Sequence, residues 1–299
     1  IEPNIALLEI PDERLEKISR AGGIKKIVPG FIEFVDIAGL VQKAHLGEGM
    51  GNQFLSQIRH CQAILILARA FENEKAKNYL GRIDPQNEFS LIETELIMKD
   101  LETVEKILKR TKDEKEKNFF LFLKEKLTKG QKISSLNLSA QKKEMIRDAQ
   151  FLTEKPVLYV VNSDFKQKFK KEKDFFELNV KEEFEMIQFS EKEKKELDFH
   201  SRLDELVKKS YEVLNLITFF TIAKEKEVKA WMIKKGSNIL EGARKIHSDF
   251  KEKFIKAQIG DFKDLLKLGS WKNLLKNGKI KIVGRDYIIQ DGDIIEIKI

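Results

Sequence analysis

Apolar residues in this chain fall into four textures. In residues 1–75, two strand-like runs, "FIEFVDIAGL" and "AILILARAF", are separated by glycine-rich turns. Between them, "GNQFLSQIRHC" spaces Phe54, Leu55 and Ile58 as one face of a helix. Strand, loop, helix and strand in that order predict an α/β sheet built from crossover units. The pattern changes over residues 88–150. There "FSLIETELIMKDLETVEKILKR" lines Leu91, Leu96, Ile97, Leu101, Val104, Ile107 and Leu108 along one face, with no glycine or proline to interrupt it. Two more charged helical stretches follow, "KEKNFFLFLKEKL" and "SAQKKEMIRDAQFL". Long helices folding back on each other explain this spacing, so the segment reads as an all-helical insertion and not as part of the sheet.

Residues 155–210 return to the first texture. Pro156 opens "VLYVV", a continuous β-branched run suited to a central parallel strand, which ends on Asn162. Charged, helix-like material follows, with "FEMIQFS" expected as a further strand ending on Ser190. Residues 216–299 read as a compact final α+β unit. "ITFFTIA" and "EVKAWMIKK" predict a hairpin, and "NILEGARKIHSDFKEKF" predicts a helix capped by Asn238. Short strands are expected at "IKIVG", "YIIQ" and "IIEIKI", with "QDGD" as the tight turn between the last two.

Composition narrows the classes. At 299 residues the chain has room for two or three domains. Charged residues make up 35% of it, and no apolar run approaches the roughly 20 residues that span a bilayer. A soluble, cytoplasmic protein with no membrane partner is expected. No leader peptide is visible, and the first residue is not methionine. The single cysteine, Cys61, excludes an internal disulfide and a multi-cysteine zinc site, and the four histidines have no metal-ligand spacing. A net charge of +7 favours an anionic partner such as RNA, although solvated lysine faces produce the same excess.

The candidate chemistry lies where strands end. Asp36 terminates an apolar run, and Gly39 follows it. A carboxylate in that place can hold a water bound to Mg²⁺, and a glycine amide can approach a γ-phosphate closely. The glycines after it allow that segment to reorganise when the phosphate leaves. An ordinary Asp–Gly turn gives the same four letters. Asn162 ends the second buried run in "NSDF", without the lysine and the acid of the guanine-reading Asn-Lys-x-Asp pattern. It can contact a base, bridge loops or simply end a strand. No G-x-x-x-x-G-K-[ST] phosphate loop occurs in these residues.

Taken together, "EFVDIAGLVQKAHLGEGMGNQFLSQIR", "RAFEN", "IDPQNEFSLIETELIMKDLE", "EVKAWMIKKG" and "GRDYIIQDGDIIEIKI" closely resemble the YchF / Obg-like ATPase family, in the same order and over nearly the whole chain. The resemblance implies three parts. They are a Ras-like P-loop nucleotide-binding domain (residues 1–87 and 151–215), a helical coiled-coil hairpin inserted into it (88–150), and a C-terminal TGS domain of β-grasp fold (216–299). It places the family's first strand, phosphate loop and a threonine ahead of Ile1. It implies a Mg²⁺-dependent hydrolase of ATP, or of GTP alongside it, acting as a nucleotide switch. The partner implied is the ribosome, through its large subunit and through RNA, with no role for DNA. Asp36 and Gly39 match the family's magnesium and γ-phosphate motif, and Leu40 stands where Ras-like enzymes keep a water-orienting glutamine. Asn162, with the adjacent Ser163, matches the start of the family's Asn-x-x-Glu motif, which accompanies ATP use, but Phe165 replaces the glutamate. Ser190 is matched to a loop near the base. Relatives carry a histidine where this chain has Ile66, so no general base is assigned. The alternative is an RNA- or ribosome-binding adaptor with a degenerate nucleotide site.

Overall fold

The structure, a computed structural model, describes residues 4–37, 58–72, 83–166, 173–223 and 226–299. It divides into two compact units. One holds residues 1–5 and 35–206, the other residues 6–34 and 207–299.

The first unit is built on three parallel strands in the order β4-β5-β6. They are β4 (Ile64–Ala70), β5 (Val157–Ser163) and β6 (Phe176–Leu178). β4 and β5 pair along their whole length, from Ile64 opposite Val157 to Ala70 opposite Ser163. Helices cover both faces. On one face, Phe89 of α2 (Pro85–Leu108) packs with Ile66, Ala68, Ala70 and Val161. On the other, Leu206, from the start of α7 (Leu203–Val213), packs with Val160, Phe176 and Leu178. Burial on both sides is why β5 reads as an unbroken apolar run, whereas β4 is covered less completely, with Leu67 51% exposed.

α2 does two jobs. Asp84 caps it by accepting the Asn87 amide, with Pro85 in its first turn. Its first half lies on the sheet. Its second half packs Val104 against Phe119, Phe120, Leu123 and Leu127 of α3 (Glu114–Thr128). The helical segment therefore starts before residue 88 and is partly a sheet-covering helix, which differs from the all-helical insertion expected from spacing. Leu91, expected on the apolar face, is exposed, while Asp100 is buried. Ile133, Ile146 at the end of α4 (Ala140–Ile146) and Phe151 complete that helical core.

Ionic contacts tie α2 to its neighbours. The Glu93 carboxylate accepts from Lys132 (2.7 Å), Lys173 and the Tyr159 hydroxyl. Burial works against its charge, but the hydrogen bonds from Lys132, Lys173 and Tyr159 outweigh that and hold its carboxyl below the usual glutamate range. A depressed folded value means that its stabilising contribution is complete above the ordinary glutamate pKa of about 4.3 and is lost as pH falls through the depressed value. Glu93→Gln should therefore narrow the gap in unfolding free energy between pH 7 and pH 3 in urea titrations. An unchanged gap would show that the acid sensitivity lies elsewhere.

The second unit carries a six-stranded sheet in the order β10-β9-β11-β7-β8-β2. The strands are β2 (Lys26–Val28), β7 (Leu216–Ala223), β8 (Glu227–Lys234), β9 (Lys256–Gly260), β10 (Ile280–Val283) and β11 (Ile294–Lys298). β7 and β8 form the expected hairpin, and β11 lies beside β7 in parallel. α8 (Ile239–Ile246) has Asn238 and Glu241 as a reciprocal capping box, and covers one face with Ile239 and Ala243 against Phe219 and Ile233. The other face, with Phe220, Val228 and Ala230, is covered by Leu15 and Ile18 of α1 (Glu13–Gly22), Leu265 of α9 (Phe262–Leu268) and Leu274 of α10 (Trp271–Lys276).

Residues 6–34 thus pack with the C-terminal region, which differs from the expected division that keeps them with residues 35–87. The physical reason is the second face of β7 and β8, which needs cover that residues 216–299 supply only in part. "YIIQ" is not a strand: a single bridge joins Ile288 to Asn238. α8 stops at Ile246, short of the expected Phe254, and is followed by one 3₁₀ turn.

Candidate functional site

In open parallel sheets, ligands bind outside the carboxyl ends of the strands. In the first unit those ends are occupied by Asn162 and Ser163, the last residues of β5, and by Asn179 just after β6. Asn162 Oδ1 accepts the Val180 amide at 3.1 Å, so it bridges the two strand ends. Val180 opens α5 (Val180–Met186), which Asn179 caps by accepting the Glu182 amide at 3.2 Å. Ser163 is buried, and its hydroxyl accepts the Phe165 amide at 2.8 Å. That bond pins a turn in which Phe165 takes a φ of 58°, the left-handed region that bulky residues rarely adopt.

A cleft of about 240 Å³ opens there, lined by Phe165, Leu178, Asn179, Glu182, Phe199 and His200 among others. Beside it, both oxygens of buried Glu183 are engaged, one by the Ser201 hydroxyl (2.7 Å) and one by the Arg202 amide (2.6 Å). The Arg202 guanidinium lies 4.4 Å from the Phe176 ring centre and donates to the Glu177 carbonyl and to Glu205. These contacts tie α5 to the residues that lead into α7.

The other expected residues are placed as follows. Asp36 is the exposed last residue of β3 (Phe31–Asp36), which pairs with β1 (Asn4–Glu9). Its neighbour Ile37 packs against the cluster of Ile58, Leu96 and Leu152. Gly39, Leu40, the glycines after them and most of the expected helix at 51–61 lie outside the described residues. Ser190 does not end a strand. It is exposed and caps α6 (Glu191–Glu196), its amide and hydroxyl both donating to Glu193 at 2.7 Å. The expected strand "FEMIQFS" is the end of α5 and a turn, and the strand of this region is β6. Asn179 and Val180 were missed by sequence reasoning. The signal available was Asn-Val-Lys-Glu directly after the apolar "FEL", a helix-start pattern.

The fold matches known proteins along its whole length. A solved structure of the Schizosaccharomyces pombe YchF GTPase superimposes with a TM-score of 0.85 at 31% identity, covering 100% of this chain and 88% of that one. The chain is thus a mixed α/β protein with a P-loop GTPase-type fold. The family profile YchF-GTPase_C, described as a protein of unknown function (DUF933), matches residues 216–299. The protein named "Ribosome-binding ATPase YchF" in Bacillus subtilis (strain 168) is 36% identical, over 100% of this chain and 89% of its own length. The protein of the same name in Buchnera aphidicola subsp. Schizaphis graminum is 39% identical, over 99% of this chain and 88% of its own. The chain belongs to the YchF family.

Proposed function

We propose that this chain is a nucleoside triphosphatase that hydrolyses the γ-phosphate of ATP, with GTP as a second substrate, and associates with the ribosome. The observation that carries the reading is the full-length relation to proteins named ribosome-binding ATPases, at 36% and 39% identity. The bridge from Asn162 to Val180 supports it locally, because it joins the two strand ends where a ligand of such a sheet binds.

Asp36 would hold Mg²⁺ through water. Mg²⁺ keeps several of its waters and takes one or two carboxylates together with substrate phosphates, so a lone exposed acid at a strand end fits it. Among the described residues no cluster of three or more His, Cys, Asp or Glu offers a dedicated cage. When bound, the ion neutralises charge on the phosphate oxygens. Gly39 would meet the γ-phosphate through its amide, and the glycine-rich residues after it would act as the switch. With leucine at position 40, no glutamine side chain orients the attacking water there. Ser163 acts on this reading by fixing the turn beneath the base, while Ser190 is assigned to helix capping.

The packing of α2 on α3 supports a helical hairpin rooted in the nucleotide-binding domain. The order β10-β9-β11-β7-β8, with α8 across one face, supports a β-grasp TGS domain. Basic faces of both parts are the proposed contacts with the large ribosomal subunit and its RNA.

The test is phosphate release from ATP and GTP with Mg²⁺, together with co-sedimentation with ribosomes, using the protein as its cell makes it. Slow hydrolysis is expected, with a ribosome-bound fraction that changes when a non-hydrolysable analogue replaces the diphosphate. Binding that ignores nucleotide, with no hydrolysis, would assign the chain to an RNA- or ribosome-binding adaptor instead.

A further inference from the structure

We propose that the cleft at the ends of β5 and β6 holds the nucleobase by stacking it on Phe165 and reads neither purine's hydrogen-bonding edge. The chain then uses adenine and guanine triphosphates with little discrimination. This rests on the nucleotide reading above and goes beyond it in naming what sets base selectivity.

Phe165 is a large aromatic residue that is 49% exposed, on a turn hydrogen-bonded to the buried Ser163 hydroxyl. Its left-handed backbone is a strained choice for phenylalanine, held by the buried Ser163 hydroxyl. The ring is therefore placed where it stands and lines the cleft with Leu178 and Phe199. An aromatic face accepts any base, because every base has a π-face.

Telling guanine from adenine needs more. Guanine presents N–H donors at N1 and N2 and calls for a carboxylate. Adenine presents a donor at N6 beside an acceptor at N1. A phenyl ring at position 165 answers neither. The nearby acids are largely committed: Glu183 to Ser201 and Arg202, and Asp164 to the Lys166 amide (3.2 Å) and ammonium (3.4 Å). Glu182 and Asp198 are the two other carboxylates among the lining residues, and so the rival readers. Sites built on hydrogen bonds reject the wrong group by about 10⁴-fold or more, whereas shape and apolar contact alone discriminate by about 10- to 200-fold at most. Both purines share the same stacking face, so the ratio here falls at or below the lower end.

The experiment measures Kd for ATP and GTP with Mg²⁺ by titration calorimetry, for the wild type, Phe165→Ala, Phe165→Trp, Phe165→Glu, Glu182→Gln and Asp198→Asn. Expected are wild-type values within about tenfold of each other and an equal weakening of both, about tenfold, in Phe165→Ala. Phe165→Trp should retain affinity and show indole quenching by either nucleotide. Phe165→Glu should split the two values, and Glu182→Gln and Asp198→Asn should each leave their ratio unchanged. A ratio of a hundred or more that collapses in Glu182→Gln or Asp198→Asn would overturn the proposal in favour of carboxylate reading. Unchanged affinities in Phe165→Ala would overturn it by removing the ring from the site. Failure of the wild type to bind any nucleotide would defeat the nucleotide reading itself, and the stacking role with it.

Discussion

Asp36→Ala is expected to lower nucleotide turnover about a hundredfold or more while leaving the melting temperature nearly unchanged. The two halves of that expectation have different causes. Asp36 is exposed at the end of β3, so its truncation empties no core and orphans no buried donor. On the proposed function, its charge acts on the metal-bound phosphates, where the loss of one aligned electrostatic partner is felt in the transition state. Ile37, packed against the Ile58, Leu96 and Leu152 cluster, keeps the strand end in place in the variant. Phosphate release under saturating ATP, beside a thermal melt, separates the effects. Turnover within twofold of the wild type would remove Asp36 from the site. A large fall in melting temperature would assign it a structural role.

Asp100→Ala is expected to cost about 3–5 kcal/mol of stability, several times the typical point mutation. Asp100 is 0% exposed on α2. Its carboxylate accepts the Leu152 amide (2.9 Å), the Thr153 amide (2.8 Å) and the Thr153 hydroxyl (2.7 Å). Burial pushes its pKa up, against the pull of these same hydrogen bonds. Alanine would strand three buried donors, each costing about 1–3 kcal/mol when left without a partner, partly relieved by relaxation. Asp100→Asn keeps an acceptor oxygen and should cost less. Urea unfolding of the two variants gives the order. A loss below about 1 kcal/mol for alanine would mean that the 150–153 segment finds other acceptors. That segment leads into β5, so Asp100 also bears on where Asn162 ends up.

The sequence displayed those parts of the fold whose pattern reflects burial. β5 is an unbroken apolar run because α2 and α7 cover both of its faces, and the β7–β8 hairpin is largely apolar for the same reason. Asn238 announced its helix because a capping box is a local device. The errors arose where apolar residues are not buried. Phe184 and Ile187 made "FEMIQFS" look like a strand, yet they are 74% and 70% exposed on and after α5. The opposing signal was present, since Ser190 and Glu193 stand at capping-box spacing. "YIIQ" alternates like a strand, but only Ile289 of its two isoleucines is buried. Within the site, Asn162 was legible as a polar stop on an apolar strand. Its partner was not, because the Val180 group it binds is a backbone amide, which no side-chain letter reveals. The left-handed turn at Phe165 was hidden likewise, since the letters carried no glycine or asparagine to mark it.

The parallel pairing of Lys26–Val28 with Glu227–Lys229 bears on how the molecule is made. A chain synthesised from its N-terminus releases α1 and β2 long before β8 exists. Until then Leu15 and Ile18 have no sheet to sit on, and until residues 6–34 return, the outer edge of β8 stays open to any strand that meets it. Closing so long a loop is slow, because its entropy is lost before the contacts that reward it are made. The second unit therefore completes itself last, and the helices and parallel strands of residues 35–206 have the time of synthesis in which to settle first.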